Sequence, residues 1–303
     1  MEFNLTILGS SSATPTENRH HSAFVLRFGN SKFMIDCGEG TQNRCLQYGI
    51  NFQKIEVIFI THMHGDHILG LFGMINTMNL FSRKKKLTIY TIKGLNRLIQ
   101  AHLETSDVQL RFQLEIVELE HAEQIIYQEE HLLVTAFPVK HRIPCLAYKF
   151  EEINVERKLN IEKCSELEVP YEAFNDIKKG KNYINAVGKS IDNKLLTFDP
   201  APPHSYVHIT DTLYFKEIEK YTGNADLIYH EATFLANLEG RATETFHSTA
   251  KQAAQVASHS NVGKLIIGHF SSRYKDLTQH LEEAKAIFEN SFLAIEGDTI
   301  SLR

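Results

Sequence analysis

Three histidines and an aspartate lie within six residues of this 303-residue chain, directly after a short apolar run. The stretch reads H-M-H-G-D-H, and its ligand-type residues are His62, His64, Asp66 and His67. Imidazole nitrogens and carboxylate oxygens are ligands that zinc and similar cations prefer. Because a turn can point alternate side chains in opposite directions, His62 and His64 could bind one metal ion while Asp66 and His67 bind a second. The pattern therefore predicts a metal site rather than a polar surface loop with chance histidines.

Other ligand-type side chains follow four predicted strands further along the chain. They are His141 after the strand predicted over 131–137, Asp211 after 206–210, His230 and Glu231 after 226–229, and His269 after 264–268. In open α/β sheets, ligands bind at the carboxyl ends of the strands, so these residues are expected to meet near His62. A single residue of this kind is more often a turn or capping residue, but the agreement among several strands favours a common site.

Two metal sites that share one carboxylate would account for seven of these side chains: His62, His64, Asp66, His67, His141, Asp211 and His269. A shared carboxylate suits two metal ions roughly 3.5–4 Å apart. The predicted cofactor is therefore a pair of zinc ions in each chain.

Alternating and apolar runs predict many strands separated by helices. This is typical of a layered α/β fold with sheet inside and helices outside. Besides the strands above, the sequence predicts strands at 3–8, 23–28, 32–36, 56–61, 87–92 and 114–119. Predicted helices lie at 67–80, 95–104, 276–290 and, with Ser248 as its cap, 249–259; a short helix is capped by Thr41 and ended by Gly49.

The composition is that of an ordinary globular protein, with 43% hydrophobic and 23% charged residues and a net charge of −5. We expect a single domain over 1–303. No apolar run approaches the roughly 20 residues of a membrane helix, so no membrane partner is expected. The N-terminus lacks the features of a signal peptide, and the four cysteines form no C-x-x-C pair, which predicts a cytoplasmic protein.

Residues 151–194 differ from the rest of the chain. Acidic residues are concentrated early, lysines late, and the hydrophobic periodicity is poor. The segment is interpreted as an insertion that projects from the domain, the alternative being a solvated surface excursion. Lys178, Lys179 and Lys181 form a basic run that could contact phosphates, and Arg273 is a further candidate. The cluster Lys84–Lys86 is more typical of a solvated turn.

Several motifs resemble known families. H-x-H-x-D-H, followed by His141, Asp211 and His269, resembles the metallo-β-lactamase superfamily. Four further stretches resemble the ribonuclease Z family, whose members mature tRNA 3′ ends. These are FMIDCGEGTQ (33–42), HEATF (230–234), FHSTA (246–250) and HFSSRY (269–274), and the likeness runs from about residue 5 to 275.

The resemblance implies a four-layered αββα sandwich with a di-zinc site at one edge. His62, His64, His141 and Asp211 would hold one zinc, and Asp66, His67, Asp211 and His269 the other. Asp66 would accept a proton, His247 with Glu231 would donate one, and Asp36 and His230 would support the ligands. The segment 151–194 would be the family's arm, which grips the tRNA, and the family usually forms homodimers.

This reading predicts hydrolysis of a tRNA precursor that leaves a 3′-hydroxyl on the tRNA and a 5′-phosphate on the trailer. The alternatives are a di-zinc small-molecule phosphodiesterase or arylsulfatase on the same scaffold, and an RNA-binding scaffold without metals. The seven ligand positions argue against the last. The family's arm often has a Gly-Pro-rich tip, whereas residues 169–174 here read V-P-Y-E-A-F.

Overall fold

A computed structural model describes residues 2–302, which fall into two compact units. The first takes in the described parts of Met1–Tyr127, Val134–Phe150 and Ser205–Arg303, and the second consists of Gln128–Leu133 and Glu151–His204. All seven predicted metal ligands belong to the first unit. Within the described residues, no helix has the length and apolar character that crossing a membrane requires.

The strands, in chain order, are β1 (Phe3–Gly9), β2 (Ala23–Phe28), β3 (Ser31–Cys37), β4 (Ile55–Phe59), β5 (Leu87–Ile92), β6 (Leu114–Leu119), β7 (Gln124–Gln128), β8 (Leu132–Val139), β9 (Cys145–Glu152), β10 (Lys158–Leu159), β11 (Tyr183–Ile184), β12 (Ser190–Ile191), β13 (Thr197–Phe198), β14 (Ser205–Ile209), β15 (Leu227–Glu231), β16 (Lys264–Gly268), β17 (Ser291–Leu293) and β18 (Thr299–Ser301). The α-helices are α1 (Thr41–Gln47), α2 (Gly65–Ile68), α3 (Gly70–Leu80), α4 (Leu95–Thr105), α5 (Ile161–Glu166), α6 (Phe174–Lys178), α7 (Asn193–Leu196), α8 (Glu219–Thr222), α9 (Glu239–Thr245), α10 (Ala250–His259) and α11 (Thr278–Lys285).

Two seven-stranded sheets contain most of these strands, in the orders β18-β1-β2-β3-β4-β5-β6 and β17-β16-β15-β14-β9-β8-β7. In the first sheet β3 and β4 run parallel with Ile35 opposite Phe59, so both strands end at the same edge. In the second sheet β14, β15 and β16 are parallel, with Ile209 opposite His230 and His230 opposite Ile267. Their carboxyl ends therefore also share one edge, which brings together the residues that follow them.

The two sheets face each other through aromatic side chains. The ring of Phe24 on β2 lies 4.5 Å from that of Tyr229 on β15, and Phe59 on β4 lies 5.3 Å from Tyr148 on β9. Tyr148 also donates its hydroxyl hydrogen to the carbonyl of Ile60 across the sheets.

Helices cover the outer faces of both sheets. Apolar residues of α1, α3 and α4 join those of the first sheet in one core cluster, and residues of α10 and α11 join those of β14–β16 in another. The order of layers is helix, sheet, sheet, helix, which confirms the predicted αββα fold.

Each predicted strand has a counterpart in the structure, but some predicted boundaries are wrong. The strand predicted to end at residue 229 continues to Glu231, so His230 and Glu231 lie within β15. The helix predicted over 67–80 is interrupted at Leu69 and forms α2 and α3. The cap of α10 is Thr249 rather than Ser248, because Thr249 and Gln252 exchange side-chain and backbone hydrogen bonds in a capping box.

The second unit has a small apolar core of its own. The short helices α5, α6 and α7 and two small ladders, β10 with β13 and β11 with β12, surround buried Cys164, Val169, Ile177 and Leu196. The predicted insertion 151–194 lies within this unit. The backbone N–H of Glu152 donates to the carbonyl of His204 at 2.8 Å, so the two ends of the stretch Glu151–His204 are adjacent.

Candidate metal centre

The H-M-H-G-D-H stretch follows β4 and runs into α2. His62 precedes the helix, and His64 is the residue before its first turn, with an extended backbone. Asp66 and His67 belong to the first turn of α2. This change from extended to helical backbone turns the two pairs of side chains toward different points, as the spacing predicts.

Three imidazole nitrogens and one carboxylate oxygen converge at a first point. Nδ1 of His64 lies 2.9 Å from Nε2 of His62 and 3.2 Å from Nε2 of His141. Oδ2 of Asp211 lies 3.5 Å from Nε2 of His62 and 3.8 Å from Nε2 of His141. These four residues form one potential metal site.

The other oxygen of Asp211 faces a second point. Its Oδ1 lies 3.0 Å from Nε2 of His269 and 3.4 Å from Nε2 of His67. Oδ2 of Asp66 is 3.3 Å from the same nitrogen of His67 and 3.6 Å from that of His269. The Asp211 carboxylate therefore lies between two ligand clusters and presents one oxygen to each.

Both clusters have the dimensions of a tetrahedral zinc site. Ligand atoms about 2.0–2.1 Å from zinc would be separated from one another by about 3.3 Å. The nitrogen and oxygen atoms above are 2.9–3.8 Å apart in the first cluster and 3.0–3.6 Å apart in the second. Nε2 of His67 and of His269 is buried and has no hydrogen-bond partner among the described residues, which fits a nitrogen that binds a cation.

The pKa values of the histidines at this centre are shifted strongly from their usual value. Burial lowers the pKa of His62 well below its usual value, which leaves a neutral ring with a free lone pair. Burial alone would lower the pKa of His67 as well, but Asp66, Asp36 and Asp211 raise it well above its usual value. The carboxylates of the centre thus attract positive charge, as a cation site must.

Asp36 at the end of β3 contacts the predicted ligand His67 and the backbone that precedes His62. Its carboxylate accepts hydrogen bonds from the backbone N–H of Thr61 at 2.8 Å and from Nδ1 of His67 at 2.7 Å. The second bond places the His67 proton on Nδ1 and turns Nε2 toward the cluster. Asp36 has a φ of 57°, an uncommon conformation for a residue other than glycine. The chain then turns through Gly38, where a Cβ would lie 2.3 Å from the carbonyl oxygen of Asp66.

His247 and Glu231 form a pair beside the second cluster. Nδ1 of His247 lies 2.8 Å from Oε1 of Glu231, whose carboxylate is fully buried at the end of β15. Burial alone would lower the pKa of His247, but the charge and hydrogen bond of Glu231 raise it to about 9. His247 therefore carries a positive charge near neutral pH.

His247 is also close enough to Asp211 and His269 to form a third potential ligand group. Its Nδ1 is engaged by Glu231 and its ring is protonated, so it is a poor metal ligand and a good proton donor. The preceding residue, Phe246, has a φ of 60°, and its carbonyl accepts a hydrogen bond from Nδ1 of His141.

The two clusters open into a cleft of about 320 Å³. His247, Asp66 and Asp211 line it together with Ser12 and Ala13 from the loop after β1. A phosphodiester in this cleft would meet both ligand clusters and the His247 ring.

Comparison with known proteins decides the family. The ribonuclease Z of Bacteroides fragilis is 38% identical over 302 residues, covering 99% of each chain. That of Cytophaga hutchinsonii is 42% identical over 307 residues, covering 99% of this chain and 96% of the relative. The chain belongs to the ribonuclease Z family.

The structural comparison agrees with this family. The crystal structure of human tRNase Z, short form, matches with a TM-score of 0.72 and 25% identity, covering 99% of both chains. A family model described as Anti-Pycsar protein Apyc1 also matches residues 3–144. The likeness to the ribonuclease Z family extends through the second half, in which Asp211, His247 and His269 lie.

Other predicted site residues of this ribonuclease Z family member have different surroundings. His230 is fully buried and its Nδ1 contacts the carbonyl of Glu231, while its Nε2 has no hydrogen-bond partner among residues 2–302. A role for His230 in supporting the ligands stays a prediction. Arg273 lies over the ring of Phe234, 5.0 Å from its centroid.

The three lysines predicted to contact RNA are paired with acidic side chains of the second unit. Lys179 lies 2.9 Å from Glu130 and Lys181 lies 3.0 Å from Asp176, while Lys178 is 4.0 Å from Glu156. Exposed pairs of this kind are weak because water screens the charges, so phosphates can compete for these lysines.

The sequence does not predict three residues that the structure places at this centre. Nη2 of Arg142 lies 3.3 Å from Nε2 of His64 at the mouth of the cleft. Thr61 and Thr233 place buried hydroxyls against the ligand histidines. Arg142 could have been predicted from its position next to His141. The two threonines could have been predicted because each lies between a strand and a predicted ligand or within a ligand motif.

Proposed function

We propose that this protein is a metal-dependent endoribonuclease that removes 3′ trailers from tRNA precursors. The products would be a tRNA with a 3′-hydroxyl and a trailer with a 5′-phosphate. The observation that carries this proposal is the combination of full-length similarity to ribonuclease Z proteins with two ligand clusters joined by Asp211 and flanked by His247.

We propose zinc as the metal, with two ions in each chain. His62, His64, His141 and Asp211 would hold one ion, and Asp66, His67, Asp211 and His269 the other. Histidine and carboxylate ligands at tetrahedral spacing support this choice. When bound, the two ions would lower the pKa of a bound water to roughly 7 and neutralise charge on the phosphate.

His247 is the proposed proton donor to the departing 5′-oxygen of the trailer. Its Nδ1 contacts Glu231, so Nε2 is the nitrogen left to face the cleft. A pKa of about 9 keeps the ring protonated near neutral pH, and the buried carboxylate of Glu231 fixes its orientation.

Asp66 is the proposed proton acceptor. Burial alone would raise its pKa, but the charge of His67 holds that pKa well below its usual range. Asp66 is therefore ionised, and it lines the cleft. Arg142 at the cleft mouth offers a guanidinium that suits a phosphate oxygen.

We further propose that residues 151–194 act as the arm that binds the tRNA. Lys178, Lys179 and Lys181 would contact phosphates there, and Arg273 would contact a phosphate from the first unit. Because each phosphate contact releases condensed counterions, this binding should weaken as salt is raised.

A homodimer and a cytoplasmic location complete the proposal. Four large apolar side chains are exposed between α1 and the residue that follows α3, and a second copy of the chain would cover them in this proposal: Leu46, Leu69, Leu80 and Phe81. All four cysteines are buried and unpaired, as is typical of a reducing compartment. Light scattering on purified protein would measure the mass in solution, and a monomeric mass would contradict the dimer.

One assay tests the proposed reaction. Purified protein with zinc is incubated with a precursor tRNA that carries a 3′ trailer, and both new ends are mapped. We expect one cut near the end of the acceptor stem, with a 3′-hydroxyl and a 5′-phosphate. Rapid hydrolysis of small phosphodiesters or aryl sulfates without cleavage of the precursor would favour a small-molecule hydrolase instead.

A further inference from the structure

Thr233 lies where the proposed metal centre meets the proposed proton donor. It follows β15 by two residues, and its side chain is buried. Its Oγ1 is 2.7 Å from Oε2 of Glu231 and 3.0 Å from Nδ1 of His269. One hydroxyl thus contacts both the carboxylate that holds His247 and a predicted metal ligand.

Proton accounting determines the direction of these two hydrogen bonds. A hydroxyl has one hydrogen to donate, and a carboxylate can only accept. Oγ1 faces two oxygens that can only accept, Oε2 of Glu231 at 2.7 Å and the carbonyl oxygen of His269 at 2.9 Å, so its one hydrogen points to these oxygens. Oγ1 is left as an acceptor, so Nδ1 of His269 must carry a hydrogen and donate it.

A hydrogen on Nδ1 leaves Nε2 of His269 with its lone pair. That nitrogen is buried 3.0 Å from Oδ1 of Asp211 and has no hydrogen-bond partner among the described residues. His269 also has a φ of 58°, an uncommon conformation that needs support from its surroundings. Thr233 holds both the proton and the ring of His269 in place.

A second threonine hydroxyl between a carboxylate and a ligand histidine occurs at the carboxyl end of β4 in the first sheet. Oγ1 of Thr61, which is fully buried, lies 3.0 Å from both carboxylate oxygens of Asp36 and 3.1 Å from Nδ1 of His62. By the same accounting, Thr61 donates to the carboxylate and accepts from a ligand histidine. The carboxylate in this case contacts another ligand, His67, whereas Glu231 contacts His247.

We propose that Thr233 is a positioning residue that fixes the proton of His269 on Nδ1 and links the second metal site to the Glu231–His247 pair. The inference rests on the proposed function only in assuming that the centre binds metal. Because outer hydrogen bonds of this kind orient the ligand, their loss usually weakens metal binding 10–100-fold.

The test compares Thr233→Val, Thr233→Ala and Thr233→Ser with the wild type. Zinc affinity of each of the two sites is measured by competition with a chelator, and the ring protons of His269 are observed by NMR in the zinc-loaded protein. We expect the wild type to show a hydrogen on Nδ1 of His269 that exchanges slowly with solvent. Valine and alanine should weaken the second zinc roughly 10–100-fold and lose this signal, and serine should restore both.

Thr222→Val is the matched control, because its buried hydroxyl contacts Ser260 and Ile218 away from the cleft. It should lower stability without changing zinc affinity. Wild-type affinity in Thr233→Val, or a hydrogen on Nε2 of His269 in the zinc-loaded wild type, would overturn the inference and leave the proposed function intact. A wild type that binds no zinc would overturn both.

Discussion

His247 and Glu231 form an ion pair in which Nδ1 lies 2.8 Å from Oε1, with the carboxylate fully buried. Oε1 also accepts the backbone N–H of Thr212, and Oε2 accepts the backbone N–H of Thr233. A carboxylate with this many donors is held in one orientation, so the His247 ring is held too. Glu231 therefore fixes the orientation of the His247 ring, and the predicted effects of mutating His247 follow from this.

We predict that His247→Ala slows phosphodiester cleavage by roughly 10²–10⁴-fold, the usual worth of a proton donor. Zinc content should stay near normal, because His247 is not among the seven predicted ligands. His259→Ala is the control, since it removes a surface histidine paired with Glu219 at 2.9 Å. Loss of both zinc ions from the His247 variant would show that this residue supports the centre instead. Rates come from single-turnover cleavage and metal content from elemental analysis.

Replacement of the shared carboxylate should affect both metal sites. Asp211→Asn removes the charge that faces both clusters, so we expect both zinc ions to bind more weakly. Asp66→Asn touches only the second cluster and should spare the first ion. Elemental analysis after dialysis against a weak chelator distinguishes these outcomes. Equal metal loss from both variants would argue against two separable sites.

Reversing the charges of the basic run in the second unit should slow cleavage of precursor tRNA more than hydrolysis of small substrates. In a variant with Lys178, Lys179 and Lys181 changed to Glu, hydrolysis of a chromogenic phosphodiester should stay unchanged. Precursor cleavage should slow at physiological salt, and the salt slope of log K should fall by roughly 0.7–0.9 for each lost phosphate contact. The control variant reverses the three charges of Lys84–Lys86.

The control should cleave the precursor tRNA like the wild type. If both triple variants lose precursor cleavage equally, net charge rather than a local RNA contact is responsible. A second test removes residues 153–203 and joins Glu152 to His204 by a short Gly/Ser linker, because these residues are already hydrogen-bonded. Loss of small-substrate hydrolysis in this variant would mean that the segment supports the fold.

Stability should depend on pH through His280, which lies outside the metal centre. Its ring is fully buried against Phe270 and Tyr274, and neither nitrogen has a hydrogen-bond partner among the described residues. Burial, with a smaller effect of Arg19, lowers its pKa to about 4. The unfolded chain therefore binds this proton more tightly than the folded one, and stability falls as pH drops from about 6.5 toward 4.

His280→Phe should remove this dependence while keeping an aromatic ring in the site. Between pH 7 and pH 5 the wild type should lose about 2 kcal/mol more than the variant in free energy of unfolding. Urea unfolding of metal-depleted protein at both pH values measures the difference. Identical pH dependence in both proteins would mean that His280 keeps its ordinary pKa.

The sequence by itself predicted the fold class and the ligand-type residues that the structure brings together. H-M-H-G-D-H is a local pattern, and the other ligands follow strands whose apolar runs are also local. Because parallel strands share an edge, the ends of β14, β15 and β16 could be expected to meet. Edge strand β7 and the buried strand β9, which both lie next to β8 in the sheet, are not predicted.

Only the tertiary structure decided which atoms of those residues contact one another. The two oxygens of Asp211 face different clusters, and the hydroxyl of Thr233 joins His269 to Glu231. Arg142 reaches the cleft mouth beside a ligand. Each relationship joins side chains from separate strands or loops, so it depends on sheet register, φ angles and the approach of backbone segments. A pattern along the chain carries no information about which lone pair faces which proton.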